Sequence, residues 1–246
     1  MVFLHLQACT SSQKKKLKNN KCNGIQFIFL IIIIMDLIHP QAESYSMQHS
    51  TPLDSVLQEL EAFTMATHPK SHMISGSLQG KLLEMISRMI APQRILEIGT
   101  FTGFSAICLA KGMRQGGMLH TIELREDDAA TAKSFFEKAR MDRHIVQHIG
   151  DARKLIPQLT ETWDLVFLDA DKVSYIDYYE LTLPQVRTGG WILADNVFFH
   201  GQALEAEPKG KNAQAIHAFN QHVAADQKTE QVVLSVRDGL TLIRKI

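Results

Sequence analysis

From residue 94 onward the chain alternates short apolar runs with longer stretches of helical periodicity, and that alternation limits the possible folds more than any other feature. Runs rich in Ile, Leu, Val and Phe, too short to be helices, lie at residues 94–98, 118–122, 144–149, 163–168 and 190–194. Each is followed by a helical stretch, the pattern of a parallel sheet covered by helices on both faces. After a last helix at residues 212–225 come two further runs, 231–236 and 240–246, separated by Arg237-Asp238-Gly239. So short a turn joins neighbouring antiparallel strands. The expected fold is α/β: a doubly wound, mostly parallel seven-stranded sheet with a C-terminal antiparallel hairpin strand. Two helices precede it. The first is expected to use Thr51 as N-cap, Pro52 at its first position and Asp54 as the acid of a capping box, ahead of Val56, Leu57, Leu60 and Phe63. The second carries Leu78, Leu82, Met85, Ile86 and Met89 on one face and ends before Pro92.

Where the first core strand meets its helix stands Glu97-Ile98-Gly99-Thr100-Phe101-Thr102-Gly103. Glycines at 99 and 103 let a ligand approach the backbone at the start of a helix, an arrangement that suits a nucleotide cofactor. Glu123 closes the next run, where a carboxylate accepts hydrogen bonds from ribose hydroxyls.

In a parallel sheet every strand delivers its last residue to the same edge. Here those ends are acidic: Glu97, Glu123, Asp151, Asp169 with Asp171, and Asp195 with Asn196. Any single acid is equally well read as a helix cap. Five strand ends in succession call for a cationic ligand. The tightest group, Asp169-Ala170-Asp171-Lys172 with Asp195-Asn196, offers hard oxygen ligands suited to Mg²⁺, with Mn²⁺ or Ca²⁺ as alternatives. Lys172 is either a proton acceptor beside such a site or a lysine paired with Asp169 or Asp171.

Length and charge narrow the partners. A chain of 246 residues, 45% hydrophobic, is expected to build one catalytic-sized domain over residues 35–246. Five of its 26 basic residues, and no acid, fall in residues 1–34, so the body carries 21 basic against 26 acidic groups. A mildly acidic body offers no general attraction to nucleic acid or anionic membranes, and small-molecule partners fit better. Residues 25–35 form an apolar run too short to cross a bilayer. Residues 1–34 are expected to be an upstream extension or a disordered tail, with Met35 as the native start. Cys108 is the one cysteine outside that tail and suits buried packing, and so sparse a cysteine content points to a reducing, cytoplasmic setting.

Four segments taken together resemble a known family. Glu97-Ile98-Gly99-Thr100-Phe101-Thr102-Gly103, Leu168-Asp169-Ala170-Asp171-Lys172, Asp195-Asn196 and Val236-Arg237-Asp238-Gly239-Leu240 look like the cation-dependent O-methyltransferases of the catechol and caffeoyl-CoA type. The likeness covers about residues 45–246. It implies a Rossmann-like fold, S-adenosyl-L-methionine as methyl donor, a divalent cation, a small hydroxylated aromatic substrate and a homodimer. Carried over residue by residue, Met73, Ser75, Glu97, Gly99, Thr100, Ser105, Glu123, Asp151, Ala152 and Asp171 would bind the cofactor. Asp169, Asp195 and Asn196 would hold the metal, Lys172 would be the catalytic base, and His200 would lie near substrate. Ser75 replaces a threonine of the plant enzymes, and His200 replaces an asparagine. Phe198 and Phe199 either stack on an aromatic substrate or pack inward. The same resemblance admits hydroxylated uridine in transfer RNA as an alternative acceptor. A non-catalytic cofactor-binding protein and a nicotinamide-dependent dehydrogenase are weaker readings.

Overall fold

The computed structural model describes residues 37–246, so the expected extension at residues 1–34 lies outside the described residues. Among the described residues three α-helices lead in: α1 (Pro40–His49), α2 (Ser55–Thr67) and α3 (Gly76–Ile90). Strand and helix then alternate through β1 (Arg94–Ile98), α4 (Phe104–Ala110), β2 (Met118–Glu123), α5 (Glu126–Lys138), β3 (Ile145–Ile149), α6 (Ala152–Leu155), β4 (Trp163–Leu168), α7 (Tyr175–Thr182) and β5 (Val186–Asp195). The chain closes with α8 (Lys211–Ala225), β6 (Thr229–Leu234) and β7 (Leu240–Lys245).

All seven strands form one sheet in the order β3-β2-β1-β4-β5-β7-β6. β1 to β5 run parallel, and β7 is antiparallel to both β5 and β6, as the terminal turn implies. Successive strand residues face opposite sides and build two cores. Ile95, Leu165, Phe167 and Leu193 pack with α2, α3, α4 and α5, while Leu96, Ile98, Val166, Leu168 and Ile192 pack with α7 and α8. The chain leaves β1 toward β2 on one side and returns through β4 on the other. A cleft therefore opens at the carboxyl ends of β1 and β4, the ordinary ligand position in such sheets.

Two local expectations need correction. Asp54, not Thr51, caps α2: its Oδ1 accepts from Leu57 N at 3.1 Å, and Leu53 is buried ahead of the helix rather than wound into it. α1 was not anticipated, because none of its residues is buried and it shows no apolar stripe. It starts from local chemistry alone, with Pro40 at the first position and the His39 ring accepting from Gln41 N.

At the opposite edge of the sheet, Asp164 ties three strands. Its Oδ2 accepts from Gln93 N (2.7 Å) and Arg94 N (2.9 Å), and its Oδ1 from Arg187 Nε (2.6 Å). Despite the opposing effect of burial, these donors hold its carboxyl below the usual range. Asp164→Ala is expected to cost about 3 kcal/mol in urea unfolding at pH 7, since it strands two backbone donors and a guanidinium. A loss under about 0.5 kcal/mol, the size of an ordinary surface change, would refute this role.

Candidate active site

Gly99 follows β1 with φ +100°, and a Cβ there would overlap the carbonyl oxygen of Asp169. Only glycine lets the ends of β1 and β4 approach so closely. The next turn brings Thr100 against Thr121, their hydroxyl oxygens 2.5 Å apart, and Thr121 donates to Glu97 Oε2 at 2.5 Å. Glu97 is fully buried, and its Oε1 has no partner. Burial, reinforced by the charges of Asp169 and Glu123, pushes its pKa up to about 8 against the help of the Ser105 and Thr121 hydroxyls. Thr100 and Ser105 are also buried.

At the end of β2, Glu123 accepts from the backbone N–H groups of Phe101 (2.7 Å), Leu124 (3.0 Å) and Arg125 (3.0 Å). Its carboxylate thereby locks the glycine turn onto β2. Asp151 caps α6 and pairs with Arg153, and Ala152 is buried just behind it. Met73 is exposed and Ser75 buried, on the segment that leads into α3.

Beyond β4, Asp171 is occupied by its own chain. Its Oδ1 accepts from Tyr178 OH at 2.5 Å, and its Oδ2 from Ser174 Oγ at 2.6 Å. Lys172, 12% exposed, donates to Asp169 Oδ1 at 3.0 Å and to Tyr175 OH at 2.7 Å. Tyr175 OH lies 2.9 Å from the carbonyl oxygen of Asp195 and 3.1 Å from that of Leu168, so the Lys172 head is braced against the floor of the cleft. Lys172 is thus paired with Asp169, as one of its two readings has it, at the border of the acidic cluster.

Asp195 ends β5 nearly buried, and its Oδ1 has no partner. Burial first, then the charge of Asp169, raises its pKa to about 7 despite Lys172. Gln79 of α3 lies beside it, yet neither Gln79 Nε2 nor Asp195 Oδ1 completes a hydrogen bond of normal geometry. Asn196 follows with φ +57° and donates through Nδ2 to Asp238 Oδ2 at 3.4 Å. Among the described residues no three His, Cys, Asp or Glu side chains form a metal cage. Two crowded carboxylates with an orphaned oxygen, and an adjacent amide, nevertheless match the hard donors a divalent cation takes.

His200 points to solvent, its side chain 73% exposed, and its Nδ1 lies 3.7 Å from Asp238. Phe198 and Phe199 are half-buried, each with part of its ring packed against the core of α7, α8 and β5. Tyr175, Tyr178, Gln79 and Asp238 were not anticipated as site residues. Tyr175 and Tyr178 stand three and seven residues beyond Lys172 and Asp171 respectively, a helical spacing that carried the signal.

A family model described as O-methyltransferase matches residues 47–246. Probable caffeoyl-CoA O-methyltransferase 1 of Dictyostelium discoideum is 33% identical over 209 residues, covering 82% of this chain and 91% of that protein. Catechol O-methyltransferase of Niastella koreensis is 31% identical over 173 residues, covering 67% of this chain and 78% of that protein. The crystal structure of an O-methyltransferase from Bacillus cereus in complex with SAH superposes with a TM-score of 0.78 at 29% identity, covering 84% of this chain and 97% of that one. Sequence and fold agree, and the chain belongs to the O-methyltransferase family, with caffeoyl-CoA and catechol O-methyltransferases among its relatives.

Proposed function

We propose that the protein transfers a methyl group from S-adenosyl-L-methionine to one hydroxyl of a vicinal dihydroxy aromatic small molecule, with the help of a divalent cation. The observation that carries this reading is the meeting of Asp169, Lys172, Asp195 and Asn196 at the ends of β4 and β5, with one buried carboxylate oxygen unpartnered. SAH in the Bacillus cereus relative, and the caffeoyl-CoA and catechol activities named for others, support the donor and the acceptor class. Asp169, Asp195 and Asn196 would hold Mg²⁺, or else Mn²⁺ or Ca²⁺, whose chemistry there is to gather two adjacent oxygens and lower a hydroxyl's pKa.

The chain's own groups do the rest. Gly99 and Thr100 bring backbone close to the donor, and buried Glu97 faces its cationic end. Lys172 Nζ, as the neutral amine after giving up one proton, takes the acceptor's proton as the oxygen attacks the methyl carbon and the carbon–sulfur bond breaks. Alignment of those three atoms is the main source of rate. The test is methyl transfer from labelled S-adenosyl-L-methionine to a panel of catechols and monophenols and to transfer RNA, with and without chelator. Chelator-sensitive labelling of catechols but not of isolated monophenols is expected. Labelling that survives excess chelator would refute the cation, and labelling confined to transfer RNA would refute the acceptor.

A further inference from the structure

Residues 196–200 form the rim of the site and hold an uncommon backbone. Asn196, Phe199 and His200 all have positive φ (57°, 46° and 54°), a region costly for side chains larger than glycine. Such a segment persists only when its surroundings fix it. One neighbour supplies most of the fixing: the β6–β7 turn. The carbonyl oxygens of Asp238 and Gly239 accept from Phe198 N (2.9 Å) and Val197 N (3.3 Å). The Asp238 carboxylate then bridges the two ends of the segment, with Oδ1 accepting from His200 N at 2.6 Å and Oδ2 from Asn196 Nδ2 at 3.4 Å. Gly239 is required beneath it, since a Cβ there would stand 2.8 Å from the Phe198 ring.

An asparagine amide has two ends of nearly equal size and opposite chemistry. A carboxylate oxygen only accepts, so Asp238 selects the NH₂ end and turns the carbonyl end, Oδ1, the other way. We propose that Asp238 is a positioning residue that orients the Asn196 amide, so that its oxygen rather than its nitrogen is offered to a divalent cation. This inference rests on the cation-dependent reading of the site. Partners that orient ligating side chains typically govern metal affinity by about 10- to 100-fold. Asp238→Asn is nearly isosteric and makes the sharpest test. Its single oxygen is claimed by the backbone N–H of His200, which leaves an NH₂ group facing Asn196. The Asn196 amide is then driven to flip, with its nitrogen toward the cation.

The experiment titrates Mn²⁺ into the full chain, following the free-ion paramagnetic resonance signal, for wild type, Asp238→Asn, Asn196→Ala, the double variant and Asp169→Ala. SAH affinity, measured by calorimetry, reports whether each variant keeps its fold. Asp238→Asn is expected to weaken Mn²⁺ binding about tenfold with SAH affinity unchanged. In the Asn196→Ala background the same substitution is expected to have no effect, because the amide through which it acts is gone. A weakening that persists in that background would assign the effect to the charge of Asp238 and overturn the proposal, as would wild-type affinity in Asp238→Asn. Should that variant lose SAH binding, the Asn196 side-chain amide of the wild-type protein, identified by its absence in Asn196→Ala, decides. Slowed hydrogen exchange is expected, and exchange as fast as in solvent-exposed asparagines overturns the proposal. Failure of the parent reading looks different: wild type then takes up no Mn²⁺, or Asp169→Ala binds it as well as wild type does.

Discussion

Asp169→Ala is expected to lower kcat/KM by about a thousandfold, the scale on which losing one preorganised electrostatic group at a reacting centre is felt. SAH affinity should stay within about threefold, because alanine keeps the main chain that the cofactor cleft is built from. Asp169 N still donates to Ile98 O at 2.9 Å, and its carbonyl still backs onto Gly99. What goes is the carboxylate that accepts from Lys172 at 3.0 Å and crowds Asp195. Lys172→Met provides the contrast. It leaves both carboxylates and Asn196 in place and removes the proposed proton acceptor, so a loss of about 10²- to 10⁴-fold in kcat is expected with Mn²⁺ affinity retained. Steady-state kinetics beside Mn²⁺ binding separate the two. Equal losses of Mn²⁺ affinity in both variants would mean that Lys172 serves only to brace Asp169, and full activity in Asp169→Ala would remove the cation from the mechanism.

The elements legible in the sequence were those fixed by short-range pattern. The strands show because each is an apolar run bounded by turn residues, and the acids at their ends show because parallel strands share one edge. β5 is the instructive exception. It was expected over residues 190–194, whereas the strand runs from Val186 through both Gly189 and Gly190. Gly189 adopts φ +75°, and the register with β4 shifts along this part of the strand, so the glycines bend the strand rather than end it.

Pairings between segments far apart in the chain were not legible. Nothing local announces that Asp238 meets Asn196 and His200, that Gln79 of α3 lies against Asp195, or that Asp164 takes the backbone N–H groups at the start of β1. The first depends on the sheet order placing β7 beside β5, the second on α3 packing over the end of β5, and the third on β4 lying beside β1. Occupancy was equally hidden. Asp171 and Glu123 stand where motif positions put them, but three of their four carboxyl oxygens are spent on nearby backbone or hydroxyl donors and the fourth on Tyr178. These two acids shape the ligand-free cleft as well as border it.

Glu97 carries the second large effect, on stability rather than rate. In the folded, ligand-free protein burial raises its pKa from 4.5 to about 8, while in the unfolded chain it titrates in the ordinary carboxylate range. Between those values the folded state holds a proton that the unfolded state has released. Stability therefore falls as pH rises from about 4.5 to about 8 and is level above that, the reverse of the behaviour of a salt-bridged acid such as Asp164. At 1.36 kcal/mol per pKa unit the difference across the window is on the order of 5 kcal/mol. Asp195, raised to about 7, adds a slope of the same sign in wild type, so the comparison must be with a variant that changes Glu97 alone. Glu97→Gln keeps the shape of the neutral acid and cannot ionise. Urea unfolding of the ligand-free variant is expected to match wild type at pH 5 within about 1 kcal/mol and to exceed it by several kcal/mol at pH 8.5. Parallel wild-type and variant stability curves across that range would mean that Glu97 is ionised in the fold at neutral pH. With the neutral form holding near pH 7, a cationic donor bound beside Glu97 as proposed would draw its proton off. Heats of S-adenosyl-L-methionine binding should then depend on the ionisation enthalpy of the buffer in wild type and lose the Glu97 share of that dependence in Glu97→Gln.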